Sequence, residues 1–493
     1  MKYLLGIDVG TTGTKSILFS EAGELIAGAY RPYDLLTKKV GYSDPSAEDW
    51  WRAVVETVRE VCADPAMAKN VAGISLSLQG GTVVPVDERN VPLRPALVWN
   101  DARCAAQKEA FLKEVGDGEL MYQKSGWKLG NGLPALEIRW LQENEPEIFA
   151  KTAMFLTVPD YIAVKMTGNA AVDLSDAGIN QLCDIRTGAY DPDLLRFAGI
   201  TEDKLPKILH SGEVIGHLTE QAAEALGLTT NAVLCAGAHD QYAVALGAGA
   251  TKPGDILIGS GTAWVVTALG EKPDFDGGLA QSVSAVPGLW GSLLSLGSGG
   301  VCLEWWRRSL TVDLNGEKVP FHVIDDESAR RHAAENGLFF YPFSGRCTAE
   351  KKFSKATVVG LDLSHDRFDL SAAIMEGVAF QAVWMMESFA VKPSAEGIKL
   401  AGGASKSPIW SRMLADITGL PVRIPEIADL ACVGAAILAG VGCGIFRDAE
   451  EGYHRLAVKE RVIQPNADAH AKYAQLFEQY KATAAALAPV YGI

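Results

Sequence analysis

The eight cysteines, at 62, 104, 183, 235, 302, 347, 432 and 443, include no CxxC pair, so the chain offers no zinc-binding signature. Several lie in apolar surroundings, Cys235 in AVLCAGA and Cys302 in GGVCLEW. They read as buried free thiols in a reducing, cytoplasmic setting. Long apolar runs are missing too. No stretch approaches the roughly 20 uninterrupted apolar residues of a membrane span. The apolar start of MKYLLGIDVG breaks at glycine and aspartate too soon for a signal-peptide core. Positive charge is scarce, with 45 lysines and arginines against 60 aspartates and glutamates and a net charge of −15. An acidic surface repels phosphate backbones and argues against nucleic acid as a partner. What remains is an ordinary globular composition, 48% hydrophobic and 21% charged, with no room for extensive disorder. At 493 residues the chain exceeds what one core usually holds, so two large domains are expected.

Short apolar runs alternate with helical patterns, which predicts an α/β architecture. Residues 46–62 read as a helix capped by Ser46, with Asp49 three residues on and Trp51, Val54, Val55, Val58 and Cys62 on one face. Residues 369–391 read as another, opened by Asp369, and 466–493 as a closing helix. Tyr3–Val9, the turn Gly10-Thr11-Thr12-Gly13-Thr14, Lys15 and the apolar Ile17–Phe19 predict a β-hairpin. Ile256–Ile258, the turn Gly259-Ser260-Gly261-Thr262 and Ala263–Ala268 predict a second, roughly half the chain later. The recurrence suggests two related domains, 1–247 and 248–493, divided in the small, flexible stretch Gly247–Gly254.

The first turn suits phosphate. Glycines let the backbone approach an anion, amides and threonine hydroxyls donate to its oxygens, and Lys15 adds charge. Asp8, just before the turn, is placed to hold Mg²⁺. A hairpin whose glycines only serve the turn accounts for the same residues about as well, and the GxxxxGK[ST] spacing is absent. The second turn gives weight to the first, since two facing turns can grip one triphosphate. Leu400-Ala401-Gly402-Gly403-Ala404-Ser405-Lys406-Ser407 follows an apolar strand end, and its small residues would let a ring or ribose pack on the backbone. In Gly237-Ala238-His239-Asp240-Gln241, after the apolar strand Ala232–Leu234, Asp240 could accept a proton from a substrate hydroxyl. Taken alone it reads rather as a helix cap, and His239 as a satisfied surface histidine. Trp99-Asn100-Asp101-Ala102-Arg103 is a sugar-binding mixture of aromatic, amide, carboxylate and guanidinium, which Gln79 in LSLQGGT could join. An intraloop Asp101–Arg103 pair in a polar loop fits it equally. Trp305 and Trp306 read as core.

Together the motifs resemble the FGGY family of carbohydrate kinases over nearly the whole chain. They are GIDVGTTGTK at the start, WNDAR at 99–103, GAHDQ at 237–241, IGSGTAW at 258–264, EGVAF at 376–380, AGGASKSPIWSRMLADITGLPV at 401–422 and GAAILAGVGCGIF at 434–446. WNDAR followed by Cys104 and a helix is most like the xylulose kinases. The resemblance implies two actin-like, ribonuclease-H-type domains with an interdomain active-site cleft, and transfer of the ATP γ-phosphoryl to a sugar hydroxyl. D-xylulose to xylulose 5-phosphate is the leading expectation, ahead of ribulose, L-xylulose, glycerol, erythritol or gluconate. It implies Asp240 as general base and Asp8 with Mg²⁺. Gly10, Thr11, Thr12, Gly13, Lys15, Gly261, Thr262, Gly300, Glu304, Gly402, Gly403, Ala404 and Ser407 would contact ATP. Gln79, Gly80, Trp99, Asn100, Asp101, Arg103, Asp240 and Gln241 would line the sugar pocket. A small sugar is the expected partner, with no nucleic acid or membrane and with a homodimer as the assembly. Two departures bear on the substrate. Xylulose kinases carry Met-His at Leu78-Gln79, and glycerol kinases carry Arg-Glu, where this chain has Gly80-Gly81; a proline–lysine pair common in the family is here Leu136-Glu137. An ATPase of the actin and heat-shock type shares the expected fold, but the WNDAR loop argues against it, as Asp8 and Asp240 argue against a silent sugar-binding regulator.

Overall fold

In a computed structural model of the chain, residues 1–33, 42–116, 118–275, 279–311, 316–347, 351–427, 429–456 and 458–491 are described. They fall into two compact units. The first joins Met1–Thr251 with Gly270–Gly291 and Ile427–Val458, and the second joins Lys252–Leu269, Ser292–Glu426 and Lys459–Ile493.

The first unit is built on a mixed sheet with the Tyr3–Val9 strand near its middle. Its hairpin partner Gly13–Ser20 runs antiparallel, with Asp8 opposite Lys15, and Leu25–Pro32 forms the edge. On the other side Val71–Leu78 runs parallel, with Asp8 opposite Ser77. Val233–Cys235 and Ala238–His239 then lie parallel to Val71–Leu78, the latter pairing His239 with Leu78. Three parallel strands therefore release Gly10, Gln79 and Asp240 at one edge of the sheet. The carboxyl ends of strands in an open α/β sheet are the usual place for a ligand. Leu5, Ile7, Val9, Ile74 and Leu76 fill the sheet's core, and a helix from Ala47 to Val61 covers it. That helix buries Trp50, Val54, Val58 and Val61. Trp51 and Val55 are only partly buried, so the apolar stripe is turned by one residue from the expected face. Ser46 stands at the cap position without a side-chain bond.

The second unit repeats this order. Ile256–Ser260 pairs antiparallel with Trp264–Gly270 and parallel with Ile398–Gly402. Val422–Pro425 runs parallel to Ile398–Gly402, Glu460–Ile463 closes antiparallel, and Trp290–Leu296 lies beyond Trp264–Gly270. The expected repeat of hairpin-led halves is thus present strand for strand. The long helix runs from Arg367 to Met386, not 369–391. Asp366 caps it, bonding the amides of Phe368 and Asp369, while Asp369 reaches back to the Asp366 amide as the third residue of a capping box. Closing helix Ala467–Leu487 continues as a short 3₁₀ turn to Tyr491.

Two helices of the first unit, Asp240–Gly247 and Leu430–Gly442, touch backbone to backbone. A Cβ on Gly434 would stand 2.0 Å from the Ala243 carbonyl oxygen, and one on Gly247 1.9 Å from that of Leu430. Only glycines allow this approach, and it sets the start of each helix, Asp240 in one and Asp429 just ahead of the other, with respect to the sheet edge.

Candidate active site

The Asp8 carboxylate ends the central strand and accepts a hydrogen bond from the Ser77 hydroxyl at 2.9 Å. Burial, reinforced by the charges of Asp429 and Asp240, pushes its pKa up to about 7. Past it the chain turns, with the Gly10 amide donating to the Gly13 carbonyl at 3.1 Å. The Tyr33 hydroxyl donates to the Gly10 carbonyl at 2.5 Å, and the Thr11 hydroxyl donates to Gln79 Oε1 at 3.0 Å. The turn is thus tied to Gln79, which is buried with Nε2 lacking a partner among the described residues. Thr12 is exposed at the tip.

Lys15 is not spare. Its ammonium pairs with Asp429 at 2.5 Å; burial lowers its pKa but the bond to Asp429 outweighs this and raises it. Asp429 also caps the Leu430–Gly442 helix by accepting from the Cys432 amide at 3.1 Å. Asp429 did not emerge from the sequence reading. Its only local signal was an aspartate three residues before Cys432 at the head of a glycine- and alanine-rich run, which reads as a cap.

Asp240 is the first residue of its helix, and His239 occupies the cap position. The expected capping role of Asp240 is therefore not what the chain adopts. Its side chain is 39% exposed. His239 is a core residue, not a surface one: it is 6% exposed, with its ring 5.8 Å from those of both Trp127 and Tyr242. Gln241, next along, is partly buried. Gly80 is enclosed, since a Cβ there would lie 2.5 Å from Asp176 Oδ1 and 2.8 Å from His239 Cδ2.

In the WNDAR segment the intraloop pair forms. Arg103 Nε and Nη2 reach Asp101 Oδ1 and Oδ2 at 2.9 and 2.7 Å, and Nη2 also reaches Asp44 at 2.8 Å. The guanidinium lies over the rings of Tyr42 and Trp140 at 4.2 and 5.1 Å. Asp101 further accepts the amides of Ser43 and Arg103. Burial alone would raise the Asp101 pKa, but the bonds from Arg103 and Ser43 leave it below the usual carboxylate value. Both side chains are essentially closed to solvent, at 0% and 2%. They brace the loop, which presents Trp99, 49% exposed, and the exposed Asn100. Glu137 is wholly buried nearby, with both oxygens lacking partners among the described residues; burial and then Asp101 raise its pKa well above the usual value. Trp306 is core as expected, whereas Trp305 is only partly buried.

In the second unit three of the expected nucleotide segments meet. The amides of Gly299 and Gly300 donate to the Thr262 and Gly261 carbonyls at 3.1 and 3.2 Å, so the Gly300–Ser309 helix starts on the hairpin turn. Gly403 donates to the Ser260 carbonyl at 2.6 Å, and the Ala404 amide to Ser260 Oγ at 3.0 Å. Gly402 has a φ of +93°, which the sharp exit from the strand requires. Gly261, Thr262, Gly402 and Gly403 are open, while Ala404 is buried. Glu304, one turn along the helix, spends its carboxylate on Arg307 and Lys318 at 2.7 and 2.8 Å. Ser407 caps the Pro408–Thr418 helix through the Trp410 amide and donates to Asp325 at 2.6 Å. Both side chains are thus engaged within the second unit.

Both units thus open on a glycine–hydroxyl hairpin, and the first carries the carboxylates Asp8 and Asp240 at its strand ends. Comparison with known proteins agrees. Residues 3–247 match the N-terminal domain of the FGGY family of carbohydrate kinases, and 256–443 its C-terminal domain. The chain belongs to that family and is a sugar kinase. It is 32% identical to the xylulose kinase of Bacillus subtilis over 98% of this chain and 96% of that one. It is 27% identical to the same organism's gluconokinase, over 88% and 86%. The crystal structure of the xylulose kinase from Rhodospirillum rubrum superposes with a TM-score of 0.90 at 27% identity, covering all of both chains. The two actin-like domains expected from the motifs are those of this fold.

Proposed function

We propose that the chain phosphorylates a ketopentose, D-xylulose foremost, at its terminal hydroxyl to give xylulose 5-phosphate, with Asp240 as the base. The observation that carries this reading is the placement of Asp240. It is a part-exposed carboxylate at the strand edge that also presents Gln79 and the Gly10–Gly13 turn, beside a rigid loop offering Trp99 and Asn100. Asp240 accepts the proton as the acceptor oxygen bonds to the γ-phosphorus, and the bond to the β–γ bridging oxygen breaks to leave ADP. Such transfer needs little beyond positioning and charge stabilisation. Gly261, Thr262, Gly300, Gly402 and Gly403 supply an open backbone surface for the nucleotide. The Gly10–Gly13 amides and hydroxyls receive phosphate oxygens.

Mg²⁺ fits the residues at Asp8. The donors are hard oxygens, and burial, with the charges of Asp429 and Asp240 added, raises the Asp8 pKa, an effect that a cation offsets. Mg²⁺ would supply charge neutralisation at the transferring phosphoryl. Similarity to xylulose kinases over the full chain supports the substrate class, and the closed Asp101–Arg103 brace leaves hydroxyl recognition to Trp99, Asn100, Gln79 and Gln241. The test is coupled ADP release with a panel of ketopentoses, polyols and sugar acids. A kcat/KM preference for xylulose over glycerol and gluconate is expected, and equal activity on glycerol overturns the substrate assignment.

A further inference from the structure

Buried polar atoms nearly always find hydrogen-bond partners, and His239 Nδ1 has none among the described residues. It lies 3.2 Å from Asp240 Oδ1, at ion-pairing distance but off the line of a hydrogen bond. We propose that His239 is a positioning residue for the reaction, its Nδ1–H donating to Oδ1 of Asp240 so that Oδ2 is the oxygen presented to the acceptor hydroxyl. This rests on the reading of Asp240 as the base.

The ring can do this because it is held on every side. Trp127 and Tyr242 flank it, and the Tyr242 hydroxyl is itself fixed to the Gly291 carbonyl at 3.0 Å. The ring edge at Cδ2 lies against Gly80, where no side chain fits. The His239 amide donates to Ser175 Oγ at 3.0 Å, and Ser175 in turn bonds Asp173, the cap of its own short helix. Asp240, 39% exposed, has room to turn into line, and catalytic hydrogen bonds are commonly misaligned before substrate binds. Burial lowers the His239 pKa more than Asp240 raises it, which keeps the imidazole neutral with one proton to place. Nδ1 is the nitrogen for it, since a bare Nδ1 would set its lone pair against a carboxylate.

Replacements discriminate by shape. The amide nitrogen of Asn sits near the place of Nδ1, and that of Gln near Nε2. We expect His239→Asn to keep kcat within about 3-fold and His239→Gln to lose about 10-fold or more, the low side of a lost positioning contact, with KM for ATP unchanged in both. His239→Ala should match the Gln variant; if it fails to fold, the Asn–Gln contrast still decides. In the background of Asp240→Asn, the Gln substitution should cost nothing further, because effects acting through one group do not add. Equal loss in the Asn and Gln variants, or a full extra loss in the double variant, overturns the proposal. If Asp240→Asn is inactive and both His239 variants match wild type, only the role of His239 fails. If Asp240→Asn itself turns over normally, the base assignment fails.

Discussion

Asp8→Asn separates the stability of the site from its chemistry. The carboxyl has an ordinary pKa of 3.8 and one of about 7 in the fold. A raised carboxyl pKa means that the folded state holds a proton the unfolded chain gives up. Its contribution is therefore fully present below about pH 4 and is lost as pH rises through 7. At about 1.4 kcal/mol per pH unit, the full penalty is about 4.5 kcal/mol, of which about 2 kcal/mol accrues between pH 5.5 and 8. Part of the residue's surface remains open, which makes this an upper value. Asparagine carries no charge, and its Oδ1 can still accept from Ser77. Urea denaturation should find the variant's advantage over wild type growing by about 1–2 kcal/mol from pH 5.5 to 8, with phosphoryl transfer lost at both. Millimolar Mg²⁺ should stabilise wild type at pH 8 and leave the variant unmoved. An Asp8→Asn protein destabilised equally at both pH values would refute the reasoning.

Asp101→Ala leaves the closed Arg103 guanidinium with Asp44 as its remaining carboxylate partner, a loss of up to about 3–5 kcal/mol; a fall in thermal midpoint is expected, and an unchanged melt contradicts the bracing role. Gly434→Ala drives a methyl into the Ala243 backbone and should lower both stability and kcat by displacing Asp240 and Asp429, visible as a kcat loss of about 10-fold or more in whatever folded fraction remains. Asp429→Asn removes the charge paired with Lys15; the KM for ATP should change while the KM for sugar does not, and the reverse pattern would misplace Lys15.

Much of this was legible because the glycine–hydroxyl turn after an apolar run, ambiguous by itself, occurs twice, once in each half of the chain. Both hairpins and their repetition follow from local pattern, whereas the grouping of Gly300 and 402–404 with the turn at 259–262 came with the family resemblance. What escaped the sequence were partners brought in from afar. Asp429 lies 414 residues from Lys15, and no local spacing announces that contact. The Asp101–Arg103 pair was one of two even readings, and Asp44, Tyr42 and Trp140 decided it. His239 reads as surface because its polarity is visible in sequence and its packing is not. Asp240 reads as a cap because helix starts favour aspartate, whereas the chain turns one residue earlier. Segments 270–291 and 427–458 belong to the first compact unit, where Gly247 packs on the Leu430 backbone, and contacts so distant in sequence leave no local signal.

The central claim is that Asp240 accepts the proton from a sugar hydroxyl. Xylulose-dependent ADP release should be compared between wild type and Asp240→Asn, with binding of a fluorescent ADP analogue measured on both. The account predicts a kcat at least about 10²-fold lower in the variant with nucleotide binding intact. Near-normal turnover by Asp240→Asn would contradict it.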